Sequence, residues 1–148
     1  MRSKDNFTLT MIKPDAVKAG YVGEMLEKIT SAGFKILALK MARLSKYEAE
    51  RFYEIHKEKP FYPDLVDFMI SGPIVAAVLQ KENAVADFRS LIGKTNPAEA
   101  SEGTLRNLYG TSYSFNAIHG ADSYDNALRE ALFHFADEDI FGEIYDYL

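Results

Sequence analysis

The sequence predicts an α+β sandwich, most simply a four-stranded antiparallel βαββαβ sheet with helices on one face. Three observations predict it. Residues 7–13 alternate apolar and polar side chains, residues 74–79 form an unbroken apolar run, and helical periods fill the segments between. The chain has 148 residues, enough for one sizeable core, and it contains no internal repeat and no Pro/Gly/Ser linker. Residues 1–148 are therefore expected to form one domain.

Each element has its own warrant. Phe7, Leu9, Met11 and Lys13 share one face of the first strand, and Pro14 ends its ladder. Lys13 thus closes an otherwise apolar stripe. A lysine there either snorkels to water or points into a site. Val22, Met25, Leu26 and Ile29 recur at helical spacing, with Gly33 placed to terminate the helix. Phe34 to Leu44 reads as a second strand with lysines on both faces. Ser45 and Glu48 have capping-box spacing, so a helix starts there with Ala49, Phe52, Tyr53 and His56 along one stripe. A short helix over about 62–70 follows Pro60. The run Ile74 to Leu79 suits a central strand covered on both faces.

Residues 83–92 predict another helix with Val85, Phe88, Arg89 and Ile92 on one face; a guanidinium on that core-facing stripe either sits at its edge and reaches solvent or faces an internal anion. Residues 94–115 hold Pro97, Gly103 and Gly110 and show no period, which suggests a functional loop. Residues 115–119 read as a short last strand. Leu128, Ala131, Leu132 and Phe135 mark the final helix.

Composition narrows the function. With no cysteine, thiol catalysis, disulfides and cysteine-ligated zinc are excluded, which fits a reducing compartment without requiring one. The longest apolar run is far too short to span a membrane, and residues 1–12 lack a signal-peptide pattern. A net charge of −5 argues against a broad nucleic-acid surface. Gly93-Lys94-Thr95 does not make a phosphate-binding loop, because Phe88 stands where the first glycine belongs and a helix precedes the triplet. His56, His119 and His134 have no metal-site spacing, and no Gly-x-Ser-x-Gly elbow occurs.

What stands out is His119, between a short apolar stretch and Gly120. Imidazole can attack a phosphoryl centre at neutral pH and briefly keep the group. Lys13, Arg89 and Arg106 lie at element ends or in the long loop, with Thr95 and Asn116 as neutral partners. Forked guanidinium donors plus a lysine suit a polyphosphate, if the fold brings them together.

Six stretches carry a resemblance. They are Thr10-Met11-Ile12-Lys13-Pro14-Asp15, residues 57–62, Ser71-Gly72-Pro73, Gly93-Lys94-Thr95-Asn96-Pro97-Ala98, Gly103-Thr104-Leu105-Arg106 and Asn116-Ala117-Ile118-His119-Gly120. Their order and spacing over nearly the whole chain resemble nucleoside diphosphate kinases. The resemblance implies a ferredoxin-like core and ping-pong transfer of a γ-phosphate between nucleotides. His119 would be the transient phosphohistidine, phosphorylated on its δ nitrogen, with Glu130 orienting the ring through the other nitrogen. Lys13 would touch the γ-phosphate and ribose, supported by Tyr53. Arg89, Thr95 and Arg106 would hold the β- and γ-phosphates, and His56 the α-phosphate. Asn116 would bind the ribose, and Phe61 would stack on the base beside Leu65. Mg²⁺ would arrive with the nucleotide, without a protein cage. ATP, GTP and other nucleoside tri- and diphosphates are the implied partners. A cytoplasmic homo-oligomer, tetramer or hexamer, is also implied, with neither a membrane nor nucleic acid as a main partner.

Four positions depart from the family pattern. Ala121 replaces a usual serine, Ile55 a common acidic residue, Ala16 a usual glycine and Tyr113 a small aliphatic residue facing the base. Tyr113 is therefore expected to form a second aromatic wall opposite Phe61. Losing the serine leaves open a catalytically weak, nucleotide-binding regulatory relative as the alternative. Phe141, Tyr145 and Tyr147 would pack on a neighbouring subunit or in the monomer.

Overall fold

The computed structural model describes residues 5–142. Tyr145 and Tyr147 lie outside the described residues, and Phe141 is exposed. The sheet has four antiparallel strands: β1 (Phe7–Ile12), β2 (Lys35–Ala42), β3 (Ile74–Gln80) and β4 (Ile118–Gly120). Their order is β2-β3-β1-β4, as a βαββαβ sandwich requires. Between them run α1 (Pro14–Lys18), α2 (Val22–Ser31), α3 (Lys46–Phe52), α4 (Tyr62–Met69), α5 (Ala84–Ile92) and α6 (Leu105–Tyr109); α7 (Tyr124–His134) follows β4. Among the described residues, no helix is long and apolar enough to cross a membrane.

Helices cover both faces of the sheet, which corrects the single covered face expected from sequence. Phe7, Leu9, Met11, Ile74, Ala76 and Val78 belong to one core with residues of α3, α4 and α7. Ile12, Val75, Ala77 and Leu79 belong to the other with residues of α1, α2 and α5. Both central strands are therefore buried on both faces, as the apolar run of β3 foretold. Helical periodicity reports that a helix has an apolar side, not which side of a sheet receives it.

Local signals account for several boundaries. Gly33 follows the α2 C-cap with a φ of +98°, where a side chain would be strained. The Ser45 hydroxyl accepts from Glu48 N at 3.1 Å, and Glu48 Oε1 accepts from Ser45 N at 2.9 Å. This reciprocal cap starts α3. Ser45→Ala should lower unfolding stability by about 1 kcal/mol while leaving activity unchanged. Chemical denaturation checks this, and an unmoved midpoint would show that packing alone sets the start of α3.

Other boundaries differ from expectation. Helix α3 ends at Phe52, so His56 leaves its stripe and sits in a 3₁₀ turn over Glu54–His56. The expected loop over 94–115 contains α6. In α7 the buried positions are Ala127, Glu130, Ala131 and His134, whereas Leu132 is exposed. Arg89, by contrast, is exposed, as a guanidinium at the edge of the α5 stripe was expected to be.

Candidate active site

The last strand begins late because of a turn at Ala117. Its φ is +76°, and Ile118 N donates to Asn116 O at 2.9 Å, closing a γ-turn. An alanine in this conformation carries strain on the order of 1–3 kcal/mol. Three contacts from the end of β1 hold it in place. Lys13 N donates to Ala117 O at 2.8 Å, Asp15 Oδ2 accepts from Ala117 N at 3.1 Å, and Lys13 Nζ donates to Asn116 Oδ1 at 2.9 Å. This role of Asp15 was not anticipated, although it lies within the Lys13-Pro14-Asp15 stretch. The expected strand over 115–119 is thus only Ile118–Gly120.

Register then aims His119. It pairs with Met11 across β1 and β4, so its side chain shares the Met11 face of the sheet. Lys13, two residues beyond Met11, continues that face just past the strand end. Gly120 turns to the opposite face, where a Cβ would lie 3.0 Å from both Phe88 and Ile92. Only glycine lets β4 approach α5 this closely without displacing them.

His119 Nε2 lies 2.6 Å from Glu130 Oε1 on α7. With Glu130 ionised, Nε2 carries the proton and Nδ1 presents its lone pair. Nδ1 has no hydrogen-bond partner among the described residues, and the ring is 19% exposed in side-chain terms, so it is accessible. Phe52 packs edge-on against the ring, with centroids 5.5 Å apart. His134 is different in kind. It is buried among Phe52, Phe133 and Phe135, and burial, followed by Lys40, lowers its pKa to about 3, keeping it neutral.

The cations converge. Lys13, Arg89, Arg106 and His119 line one cavity of about 1530 Å³. Burial, then Arg106, lowers the Lys13 pKa to about 8, with Asp15 opposing. Burial, then Arg89, lowers Arg106 to about 10. Cations that depress one another's charge form a site that gains when an anion enters. Arg106 is also structural. Its Nε and one Nη donate to Ile118 O at 3.2 and 2.8 Å, and its other Nη donates to Gly93 O at 3.1 Å. Of five guanidinium N–H groups, these bonds leave some free for a ligand. The Arg89 guanidinium reaches toward Gly120 O at 3.5 Å.

The remaining anticipated residues line the same cavity: Tyr53, His56, Phe61, Leu65, Thr95, Tyr113, Asn116 and Glu130. Asn116 is 2% exposed, and its amide donates to Thr95 O and Tyr113 O, both at 3.1 Å. Its oxygen already accepts from Lys13 Nζ and has one further lone pair to meet a ligand. Tyr53 is buried, its hydroxyl has no hydrogen-bond partner among the described residues, and burial, then Glu130, keeps the phenol protonated. His56 stacks on Tyr53, and burial, then Lys59, lowers its pKa, favouring the neutral ring. Phe61 and Tyr113 are both exposed at the rim. Among the described residues, no group of three or more His, Asp or Glu side chains could hold a metal ion.

The family model described as nucleoside diphosphate kinase matches residues 6–140. The chain belongs to this family. A nucleoside diphosphate kinase from Flavobacterium psychrophilum is 55% identical over 136 residues, 92% of this chain and 98% of that protein. One from Chlorobaculum parvum is 55% identical over 133 residues, 90% of this chain and 95% of that one. The Aquifex aeolicus nucleoside diphosphate kinase structure superposes with a TM-score of 0.90 at 42% identity, covering 91% of this chain and 98% of that one. The overall fold is thus shared with that structure over nearly the whole chain.

Proposed function

We propose that this chain is a nucleoside diphosphate kinase, with residues 1–148 acting as one domain, and that His119 carries the phosphoryl group. The observation that carries the reading is the His119–Glu130 pair. Glu130 holds Nε2 at 2.6 Å, so the nucleophilic lone pair is on Nδ1, in a cavity shared with Lys13, Arg89 and Arg106. Nδ1 attacks the γ-phosphorus of a nucleoside triphosphate. The bond from that phosphorus to the β–γ bridging oxygen breaks, and its electrons leave with the diphosphate. A β-phosphate oxygen of a second nucleoside diphosphate then attacks that phosphorus, the Nδ1–P bond breaks with its electrons returning to Nδ1, and a nucleoside triphosphate leaves. Splitting the transfer lets one pocket serve donor and acceptor in turn.

The side chains divide the work. Lys13, Arg89, Arg106 and Thr95 hold the β- and γ-phosphates, stabilising charge on the transferring group. His56, neutral, donates to the α-phosphate. The Asn116 oxygen accepts from a ribose hydroxyl, and Tyr53 supports the Lys13 end. Phe61 stacks on the base beside Leu65, which reads a π-face and tolerates every base. A divalent cation, Mg²⁺ in this reading, is held by the nucleotide phosphates and neutralises part of their charge. The protein works in the cytoplasm as a homo-oligomer, a tetramer or hexamer. Neither a membrane nor nucleic acid is a main partner.

γ-Labelled ATP should leave an acid-labile, alkali-stable phosphate on the protein that ADP, GDP or CDP discharges. A chain that binds nucleotide without taking label would instead be a regulatory relative. Two further results are expected. Lys13 loses its charge as pH rises through about 8, whereas a bound polyphosphate favours the charged form. ADP affinity should therefore fall above pH 8 by up to about tenfold per pH unit, as linkage to one proton requires. Titrations from pH 7 to 9.5 check this, and a flat profile would mean that Lys13 does not meet the phosphates. Tyr113→Ala should weaken nucleotide binding by about fivefold or more, the scale of one lost stacking contact. Equal affinity in wild type and Tyr113→Ala would remove Tyr113 from the base site.

A further inference from the structure

Glu130 is 4% exposed, yet its work leaves one oxygen over. Oε1 is occupied by His119 Nε2 at 2.6 Å, while Oε2 faces Arg129, whose Nη2 lies 3.7 Å away. A buried carboxylate bonded only to a neutral imidazole is poorly compensated and free to rotate about its last torsion. Ala121, two residues after His119, brings a methyl group and no hydroxyl that could fix it. Arg129 has a second contact. Its guanidinium carbon lies 5.8 Å from the centroid of the Phe52 ring, and Phe52 meets the edge of His119 at 5.5 Å. The contacts therefore close a circuit: His119 to Glu130, Glu130 to Arg129, Arg129 to Phe52, and Phe52 back to His119.

We infer that Arg129 is a positioning residue, which steadies the Glu130 carboxylate and the Phe52 ring and so holds the His119 imidazole in its reactive orientation. The inference rests on the reading of His119 as phosphoryl acceptor. Arg129 also lines the cavity, but in this role it acts through Glu130 and Phe52 and not on the substrate. Its side chain is 40% exposed, so solvent screens the contact and the effect is moderate.

Two measurements on the full chain test it. The first is NMR of the His119 Nε2–H proton, whose solvent exchange reports the bond to Glu130 without any nucleotide. The second is steady-state kinetics with ATP and a diphosphate acceptor. Arg129→Met keeps the stem over Phe52 and removes the charge. It should speed exchange and lower kcat about three- to fivefold, the rate equivalent of a screened ion pair, with KM unchanged. Arg129→Lys should restore both, because the charge returns. Unchanged exchange in Arg129→Met would overturn the inference. So would a raised KM with kcat intact, the mark of direct phosphate contact. If the wild type takes no label from ATP, the phosphoryl-transfer reading fails, and the exchange measurement still decides whether Arg129 holds Glu130.

Discussion

His119→Ala should take up no phosphate from γ-labelled ATP and should lose about 10⁴-fold or more in turnover, the scale seen when a covalent nucleophile is removed. The size follows from the chemistry. Without Nδ1 there is no phosphoramidate, and transfer would need two nucleotides bound in line at once. Nucleotide affinity should change little, because the cations that hold the phosphates stay in place. The fold should survive too, since the ring is partly exposed and its hydrogen bond goes to Glu130 alone. Alanine does leave Glu130 buried without its bond, so a lower unfolding midpoint is expected beside intact binding. Labelling that persists in His119→Ala would move the phosphoryl acceptor to another residue.

Arg106→Ala combines a catalytic and a structural loss. Removing one charge-stabilising donor costs about 10²–10³ in turnover. The side chain also ties Ile118 O and Gly93 O together through three hydrogen bonds. Leaving such carbonyls unpaired costs about 1–3 kcal/mol, so the unfolding midpoint should fall as well. Arg106→Lys separates the two contributions. Lysine restores a charge but not the fork that reaches both carbonyls, so it should recover activity only in part and leave the strand end loose. A loss of tenfold or less in Arg106→Ala would make the guanidinium peripheral to the phosphates.

These two predictions draw on different kinds of information. The proposal of His119 as the reactive group was already available in Asn116-Ala117-Ile118-His119-Gly120. The hydrogen bonds of Arg106 were not visible there, because their partners are backbone carbonyls from two other segments. The alternation over 7–13 located β1 and put Lys13 at its end, and the apolar run located the doubly covered β3. The capping box opened α3 where it was expected. These features succeed because they depend on residues within one or two turns of each other. The end of α3, the short helix Leu105–Tyr109 and the late start of β4 were hidden. Ala117 shows why. Alanine at positive φ has no sequence signature, and the conformation persists only because Lys13 and Asp15 hold it from far along the chain.

Residue chemistry and local period therefore specified the strands, most of the helices, and the histidine and cations that the fold gathers in one cavity. Tertiary structure decided that helices cover both faces, that Arg89 lines the cavity with Lys13 and Arg106, and that Lys13 lies against Asn116, 103 residues away in sequence. It also selected the nitrogen of His119 that is free to react. The physical reason is range. Periodicity and capping act over one or two turns, whereas the direction of a side chain in a cavity depends on strand register and on contacts between segments that meet only when the sheet assembles.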